Sequence, residues 1–474
     1  VWDGKGNPTH LDYDAHNQLV RIVSREPFRH EMLFHYDANG NPIKANVSFE
    51  RHAFDPTKGE VALLTTTISQ QIAYDLLNYP VQRITSAEGQ QLRETFVRDA
   101  SERVVQSVQP MGNTTTYHFD ERNLLIEKRL GSATKDEVVC RYTYTLNGKR
   151  STRTDGQGNT LHYHYDGFQR SIGMTNAEGI VIHRVLDPAG NTTLFEVMPD
   201  PAALQEAGSA PAVPLLQMYY QYDELNRLTQ INRAWYDLSS GMPSGKSQLN
   251  GQTGFVSTIL EYQENPYPSM ILGEAGSQVR LEYDGIDRLL RVEGLLGNVI
   301  QFDYDENSNI TSMARLQQLE ETGALHPLTI LTQQFDALDR VVARSVNQGQ
   351  PEQFVYNALG LLMLSVNQAQ VKRQLVHDVF GRRLGWVTTA TNDYALPGMS
   401  KEQLIILQVE RDANDRIAAS ITPTRHRTSY DYDSLNRCTR ITYPDGNTQS
   451  IAYDHNHNIT ESVDQNHTLT SYQY

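Results

Sequence analysis

Asn159-Thr160-Leu161-His162-Tyr163-His164-Tyr165-Asp166 decides the fold. Leu161, Tyr163 and Tyr165 alternate with Thr160, His162 and His164, a period of two that makes a half-buried β-strand. Asp166 ends the strand: its carboxylate can accept backbone N–H groups two or three residues on and turn the chain. The same lead-in recurs at Thr115, Tyr117, Phe119 and at Ile300, Phe302, Tyr304. After the turn the chain returns as a second strand, such as Arg227-Leu228-Thr229-Gln230-Ile231, and a Gly-Asn turn like Gly158-Asn159 or Gly446-Asn447 follows.

Working outward, the motif aromatic-Asp-x-x-(Asn/Asp/Gly)-(Arg/Asn)-apolar appears seventeen times. Its Asp slot falls at 14, 37, 75, 99, 120, 145, 166, 187, 223, 284, 305, 336, 357, 378, 412, 433 and 454, with Thr145 and Asn357 the two exceptions to Asp. Eight of the sixteen spacings are 21 residues. The repeat-motif residues are Tyr165-Asp166, Tyr222-Asp223 with Asn226-Arg227, Tyr283-Asp284 with Arg288, Tyr304-Asp305, Tyr432-Asp433 with Asn436-Arg437, and Tyr453-Asp454. Three residues after the Asp slot, Asn, Asp or Gly fills thirteen of the seventeen copies, the residue types that tolerate positive φ. A fixed period means stacked units too small to bury their own apolar face, here one hairpin and a connecting turn each. A motif repeated so often is architecture rather than a catalytic centre. The expectation is an all-β chain with one continuous organisation over residues 1–474.

Three details have more than one reading. In the returning strand Leu228 and Ile231 are three apart, so either a bulge resets the pleat or the first apolar residue plugs the turn. The Arg four residues past the Asp either pairs with a turn Asp or stacks on a neighbouring Tyr. Tyr165, Tyr222, Tyr283 and Tyr304 are expected to be largely buried, between neighbouring hairpins or against the wall they form.

Where spacing exceeds 21, loops have been added, near 198–214, 235–258, 314–328 and 389–404. The second reads as a long mobile excursion around Ser239 to Gly245. The third holds a short helix over Leu316 to Glu321, ended by Gly323. In the fourth, Ser400-Lys401-Glu402-Gln403 has the form of a capping box. These insertions are the only stretches individual enough to carry recognition.

A net charge of −15 and a pI near 5.5 speak against nucleic acid as a partner. The longest apolar run, Ala358 to Leu364, is well short of the ~18 residues that span a bilayer. Cys140 and Cys438 read as two unpaired buried thiols. His162 and His164, with His183 one repeat later, are the best metal candidate, but no Cys or carboxylate joins them at a fixed spacing. No nucleophile elbow, His-Glu-x-x-His, P-loop or dinucleotide-binding glycine run occurs, so no catalytic, metal or cofactor residue is assigned. Val1 lies inside a repeat with no initiating Met, and the copy after Asp454 would fall one residue past Tyr474, so a fragment of a longer protein is expected.

Tandem hairpins of this kind, from Gly158-Asn159-Thr160 through Tyr165-Asp166 and from Asp445-Gly446-Asn447-Thr448 through Tyr453-Asp454, resemble the RHS/YD-repeat family along essentially the whole chain. That family includes bacterial RHS polymorphic toxins, the B and C components of Tc toxins, and the YD shell of teneurins. The resemblance implies a spiralling antiparallel sheet forming part of a hollow shell. The shell would enclose a C-terminal toxin segment and help deliver it, as a secreted or extracellular protein without enzymatic activity. The implied partners are the rest of its own chain, the enclosed toxin segment and other secretion or toxin-complex components. The alternative is a surface-displayed adhesion or carbohydrate-binding module. Asp187-Pro188-Ala189-Gly190-Asn191 is the nearest echo of the family's self-cleavage motif, but it lacks the Leu and the Gly pair, so no catalytic residue is carried over. About thirty-four strands are too many for one flat sheet, and a chain that is 39% hydrophobic suits a curved wall with water within reach of both faces.

Overall fold

The computed structural model describes residues 1–25, 28–55, 60–131, 137–200, 214–236, 245–249, 252–319, 322–389 and 404–474. Among them are thirty-eight strands, one short 3₁₀ turn at Glu274–Gly276 and no α-helix. The strands form an antiparallel meander in chain order, each bonded to the one before and the one after. The exception is the Gly245–Leu249 strand, which makes a side hairpin with Gln252–Tyr262 while Gln252–Tyr262 pairs back to Leu228–Ala234.

One five-residue turn builds both rims of this sheet. At Asp223, the backbone N–H donates to the Arg227 carbonyl, and the Asn226 N–H donates back to the Asp223 carbonyl. The carboxylate accepts the backbone N–H groups of Leu225 and Arg227, two and four residues on. The third residue after the Asp slot takes the left-handed conformation in all seventeen copies, including Glu102, Gln169, Ser308 and His457, with φ between 61° and 69° at the last three and Asn17. The opposite rim reuses this turn at Asp155–Asn159, where Gly158 has φ 94°.

The returning strand contains a bulge, which settles its phase. Gln221 pairs with Gln230 but Tyr222 pairs with Leu228, leaving Thr229 unopposed. The shift sits at the aromatic slot of other repeats too, as at His164/Tyr165 and Asp303/Tyr304. Leu228 and Ile231 thus face Tyr222 and Tyr220, residues of one side of the pleat.

The sheet coils on itself. Lys5 N–H donates to Asn307 Oδ1 at 3.0 Å, Met111 N–H to Asn414 Oδ1 at 3.0 Å, and Asn456 Nδ2 to Asp155 Oδ2 at 2.8 Å. These partners are 302, 303 and 301 residues apart, so one coil takes about 300 residues. In this seam the Asp-turn rim of the second coil lies on the Gly-turn rim of the first. Gly4 and Gly156 are required by this approach: a Cβ would lie 2.3 Å from the Glu306 carbonyl oxygen and 2.6 Å from that of His455.

The wall is one sheet thick. It exposes 28725 Å², against about 18,000 Å² for a compact globule of its mass by the usual size scaling. Only fourteen hydrophobic side chains are fully buried among the described residues. The chain is therefore part of a hollow shell. Seven of the fourteen gather where a long hairpin, Pro42–Asp55 with Glu60–Tyr74, reaches across to the second coil. There Phe49 of the hairpin meets the Met363 to Val387 region, and His52 forms a parallel bridge to Val376.

Several expectations change. Leu316 is not helical: it lies in the Ile310–Gln318 strand, paired with Leu325–Phe335, because the added residues extend an existing hairpin. The 235–258 insertion is likewise partly ordered as strand, at Gly245–Leu249 and from Gln252. The capping box at 400–403 lies outside the described residues, as do parts of the 198–214, 235–258 and 389–404 insertions. Cys140 and Cys438 are free but only half-buried, since a one-layer wall shields one side of each. Gln169→Gly should stabilise the protein by about 0.5–1 kcal/mol by relieving a left-handed residue that bears a Cβ. Thermal unfolding of the variant checks this, and a lower midpoint would count against it.

Candidate functional site

The motif residues assemble into a lock between successive hairpins. Each of the eight motif arginines pairs with the Asp of its own turn, as Arg227 with Asp223, Arg288 with Asp284 and Arg437 with Asp433, at 2.6–2.7 Å between Nε and Oδ2 in those three. The guanidinium also reaches forward. Arg288 Nη1 donates to the Asp305 carbonyl at 3.0 Å and Arg437 Nη1 to the Asp454 carbonyl at 2.7 Å. It then covers the next aromatic slot, Arg288 over Tyr304 at 4.7 Å and Arg437 over Tyr453 at 4.8 Å. Both readings of the Arg hold together. Where the next slot is Leu186 or Arg411, Arg170 and Arg382 pack instead on Phe168 and Phe380 of their own turns.

The tyrosines reach backward. Tyr304 Oη donates to the Leu289 carbonyl at 2.7 Å, Tyr432 to Ile417 at 2.8 Å, Tyr453 to Cys438 at 2.8 Å and Tyr165 to Arg150 at 2.9 Å. Tyr222 does the same to Thr192 across an insertion, and Tyr283 to Pro268. The acceptor is the fifth residue after the previous Asp slot, or after Gln263 in the case of Tyr283. Tyr165, Tyr222, Tyr283 and Tyr304 are half-buried rather than largely buried, because a single-layer wall covers one face of each ring. Burial pushes the hydroxyls of Tyr222, Tyr283, Tyr304, Tyr432 and Tyr453 up, so they stay protonated as donors. The backbone N–H groups of Arg227 and Arg288, working against burial and helped by the guanidinium, hold Asp223 and Asp284 below the usual carboxylate range.

One unit escaped the motif. Tyr262 has the same bulge, donates to the Leu228 carbonyl at 2.7 Å and lies under Arg227 at 4.6 Å. Gln263 replaces the Asp, which hid it, although it stands 21 residues before Asp284. The long hairpin was also missed. The 38-residue gap from Asp37 to Asp75 was its signal.

At the seam, Lys5 Nζ lies 2.6 Å from Asp305 and Arg25 lies 2.8 Å from Asp339. Burial opposes the charge of Asp305, but Lys5 and Asn309 hold its carboxyl down at about 2. Under the long hairpin, Arg51 is buried with Nε bonded to Thr66 Oγ1 at 2.9 Å, Nη2 to Glu88 at 3.0 Å and Nη1 to the His377 carbonyl at 3.3 Å. His377 is only 3% exposed, and burial lowers its pKa to about 4, which keeps it neutral beside Arg51. A cleft of about 550 Å³ opens nearby between the coils, bordered by Phe28, Phe49, Thr65, Tyr356 and Asn357.

The residues singled out for chemistry do not converge. His162 and His164 point to solvent, His164 bonds Thr175 Oγ1 at 2.8 Å, and His183 sits 3.5 Å from Glu196. No group of three or more metal-binding side chains occurs among the described residues. Asp187 to Asn191 form an ordinary repeat turn, with Asn191 N–H on Asp187 Oδ1 at 2.8 Å.

Two outcomes test this geometry. Tyr453→Phe should cost about 1 kcal/mol for the lost hydroxyl bond, whereas Arg437→Ala should cost about 3–5 kcal/mol because it strands a buried carboxylate. Equal effects in denaturant unfolding would contradict the lock. For the seam, the folded pKa of Asp305 is depressed, so its contribution is complete above about pH 4 and lost as pH falls toward 2. The thermal midpoint should drop over that window, and drop less in Lys5→Met.

Residues 411–448 match the family model of the RHS repeat. No curated protein matches the chain. Among solved structures, a crystal structure of TcdB2-TccC3 aligns at 10% identity and TM-score 0.28, covering 96% of this chain and 31% of that one. The Photorhabdus luminescens Tc holotoxin pore aligns at 9% identity and TM-score 0.27, over 97% of this chain and 30% of that one. This chain thus spans about 30% of the length of those toxin chains. No helix among the described residues is long and apolar enough to cross a membrane. The repeat that the family model recognises at 411–448 is built from a turn and bulge that recur along the described wall, and over those residues the chain is similar to the RHS/YD-repeat family.

Proposed function

We propose that this wall is the non-catalytic shell segment of an RHS-type toxin, enclosing a C-terminal toxic payload and helping to deliver it outside the producing cell. The observation that carries this reading is the surface of 28725 Å², which a one-layer curved wall spreads around space instead of filling it. A wall with few buried apolar groups offers an enclosed chain little to nucleate a competing core on. The tyrosines support the same reading over sugar binding: their hydroxyls and several of their faces are already engaged by carbonyls and guanidinium groups. The partners in this reading are the rest of the same polypeptide, the enclosed segment and other secretion or toxin-complex components.

In the full-length protein, a protease added from outside should leave the segment following the repeats intact, and should cut it once denaturant opens the wall. Cleavage at the same rate with the wall folded would contradict enclosure. The isolated chain should give no turnover with glycan, peptide or nucleic-acid substrates, and an activity abolished by one point mutation would overturn the non-catalytic reading.

A further inference from the structure

The charged side chains in the middle of the wall are sorted by face. The strands from Val138–Tyr144 to Gln252–Tyr262 hold two carboxylates, Glu196 and Glu261. Glu196 stands opposite His183 and Glu261 opposite Met270, both on the side of the pleat away from the motif tyrosines. Four arginines of the same strands take the tyrosine side. Arg150 is opposite Tyr144, Arg153 opposite Tyr142, Arg184 opposite Phe195 and Arg233 opposite Met218. Arg141, on the far side, pairs with Glu127 at 3.0 Å. None of the four on the tyrosine side has a carboxylate partner among the described residues.

Aromatic rings hold three of them instead. Arg150 lies over Tyr142 at 4.8 Å, Arg184 over Phe195 at 5.9 Å and Arg233 over Trp235 at 5.5 Å. A ring under a guanidinium covers its flat face and leaves the N–H fork at its edge, the part that matches a carboxylate. Arg150, Arg233 and Trp235 are exposed and Arg184 is half-buried. The three arginines sit at even intervals. Two strands separate that of Arg150 from that of Arg184, and two more separate Arg184 from Arg233. Three strand steps span about 14 Å. Between Arg184 and Arg233, Phe195 and Met218 complete a row of directly paired residues.

We propose that this stretch of the tyrosine face is an interaction surface for an extended acidic polypeptide segment lying across the strands. An extended chain advances about 14 Å in four residues and returns each side chain to the same side every second one. Carboxylates four apart therefore reach Arg150, Arg184 and Arg233 in turn, and an apolar residue midway meets Phe195 and Met218. A nucleic acid fits worse: it carries a phosphate at every nucleotide, far denser than one cation per interval, and it meets a chain of net charge −15. The inference concerns what this face binds and is independent of what the wall encloses, so loss of payload protection and loss of peptide binding are separate outcomes.

The test is fluorescence anisotropy with a labelled nine-residue peptide that has Glu at its first, fifth and ninth positions, Leu at the third and seventh, and Ser elsewhere. The purified chain should bind it, and added salt should weaken the binding. Arg184→Gln and Arg233→Gln should each weaken it about three-fold, whereas Arg141→Gln, on the other face, should leave it unchanged. A peptide of the same composition with its three Glu adjacent should bind more weakly, and oligothymidylate should not compete. Absence of binding at millimolar peptide overturns the proposal. So do equal binding of the two peptides, tighter binding of oligothymidylate, or an affinity indifferent to the two arginine substitutions. The comparison of peptides needs no variant, so it decides the outcome even where a substitution disturbs folding.

Discussion

The bond from nine of the eleven motif tyrosines to a carbonyl one repeat back is the constraint on which the rest depends. It runs from Tyr304 to Leu289, from Tyr432 to Ile417 and from Tyr453 to Cys438, always to the fifth residue after the previous Asp slot. Backbone ladders alone allow neighbouring strands to slip or splay. This bond, with the bulge beneath it and the guanidinium that reaches the other way, sets the stagger of every hairpin on the last. A repeated stagger accumulates into curvature, and curvature into a coil. The chain can thus enclose space without a central core. Neutral hydrogen bonds of about 1 kcal/mol each would be minor in a globule, but here the same bond recurs in nine of the seventeen motif copies.

The seam obeys different physics. Its contacts are amides, carboxylates and backbone groups, with glycine at Gly4 and Gly156 where two main chains nearly touch. A single layer has little apolar surface to spare for a dry interface between coils. The exception is the long hairpin, where Phe49 supplies apolar burial and Arg51 a fully bonded charge. It acts as the strut between coils, and neutral His377 above it keeps a second cation away from Arg51.

Much of this was legible in the residues. The strand before each Asp, the turn after it and the left-handed third residue follow from alternation and from Asn, Asp or Gly at a fixed place. Even the deviant Gln169 and His457 obey the turn, because the period outweighs their preference. What stayed hidden was hidden for physical reasons. Gln263 stands at the slot of a unit that keeps the bulge and the tyrosine bond without an Asp, so a pattern keyed on carboxylate overlooks it. Leu316 sits in residues as compatible with helix as with strand, and only pairing with Pro327 decides the matter. The seam has no local signature: a contact at about 300 residues joins unlike turns, and only the glycine in Asp3-Gly4 and Asp155-Gly156 marks where another backbone arrives.

The coil that joins residues 302 apart is the central claim, and Lys5 offers a direct measure of it. Its ammonium lies 2.6 Å from the Asp305 carboxylate. A zero-length carbodiimide cross-linker should therefore join the peptides that contain Lys5 and Asp305 within one chain, as read by mass spectrometry. Cross-links from Lys5 only to carboxylates nearby in sequence, with none to Asp305 or Asp339, would contradict the coiled wall.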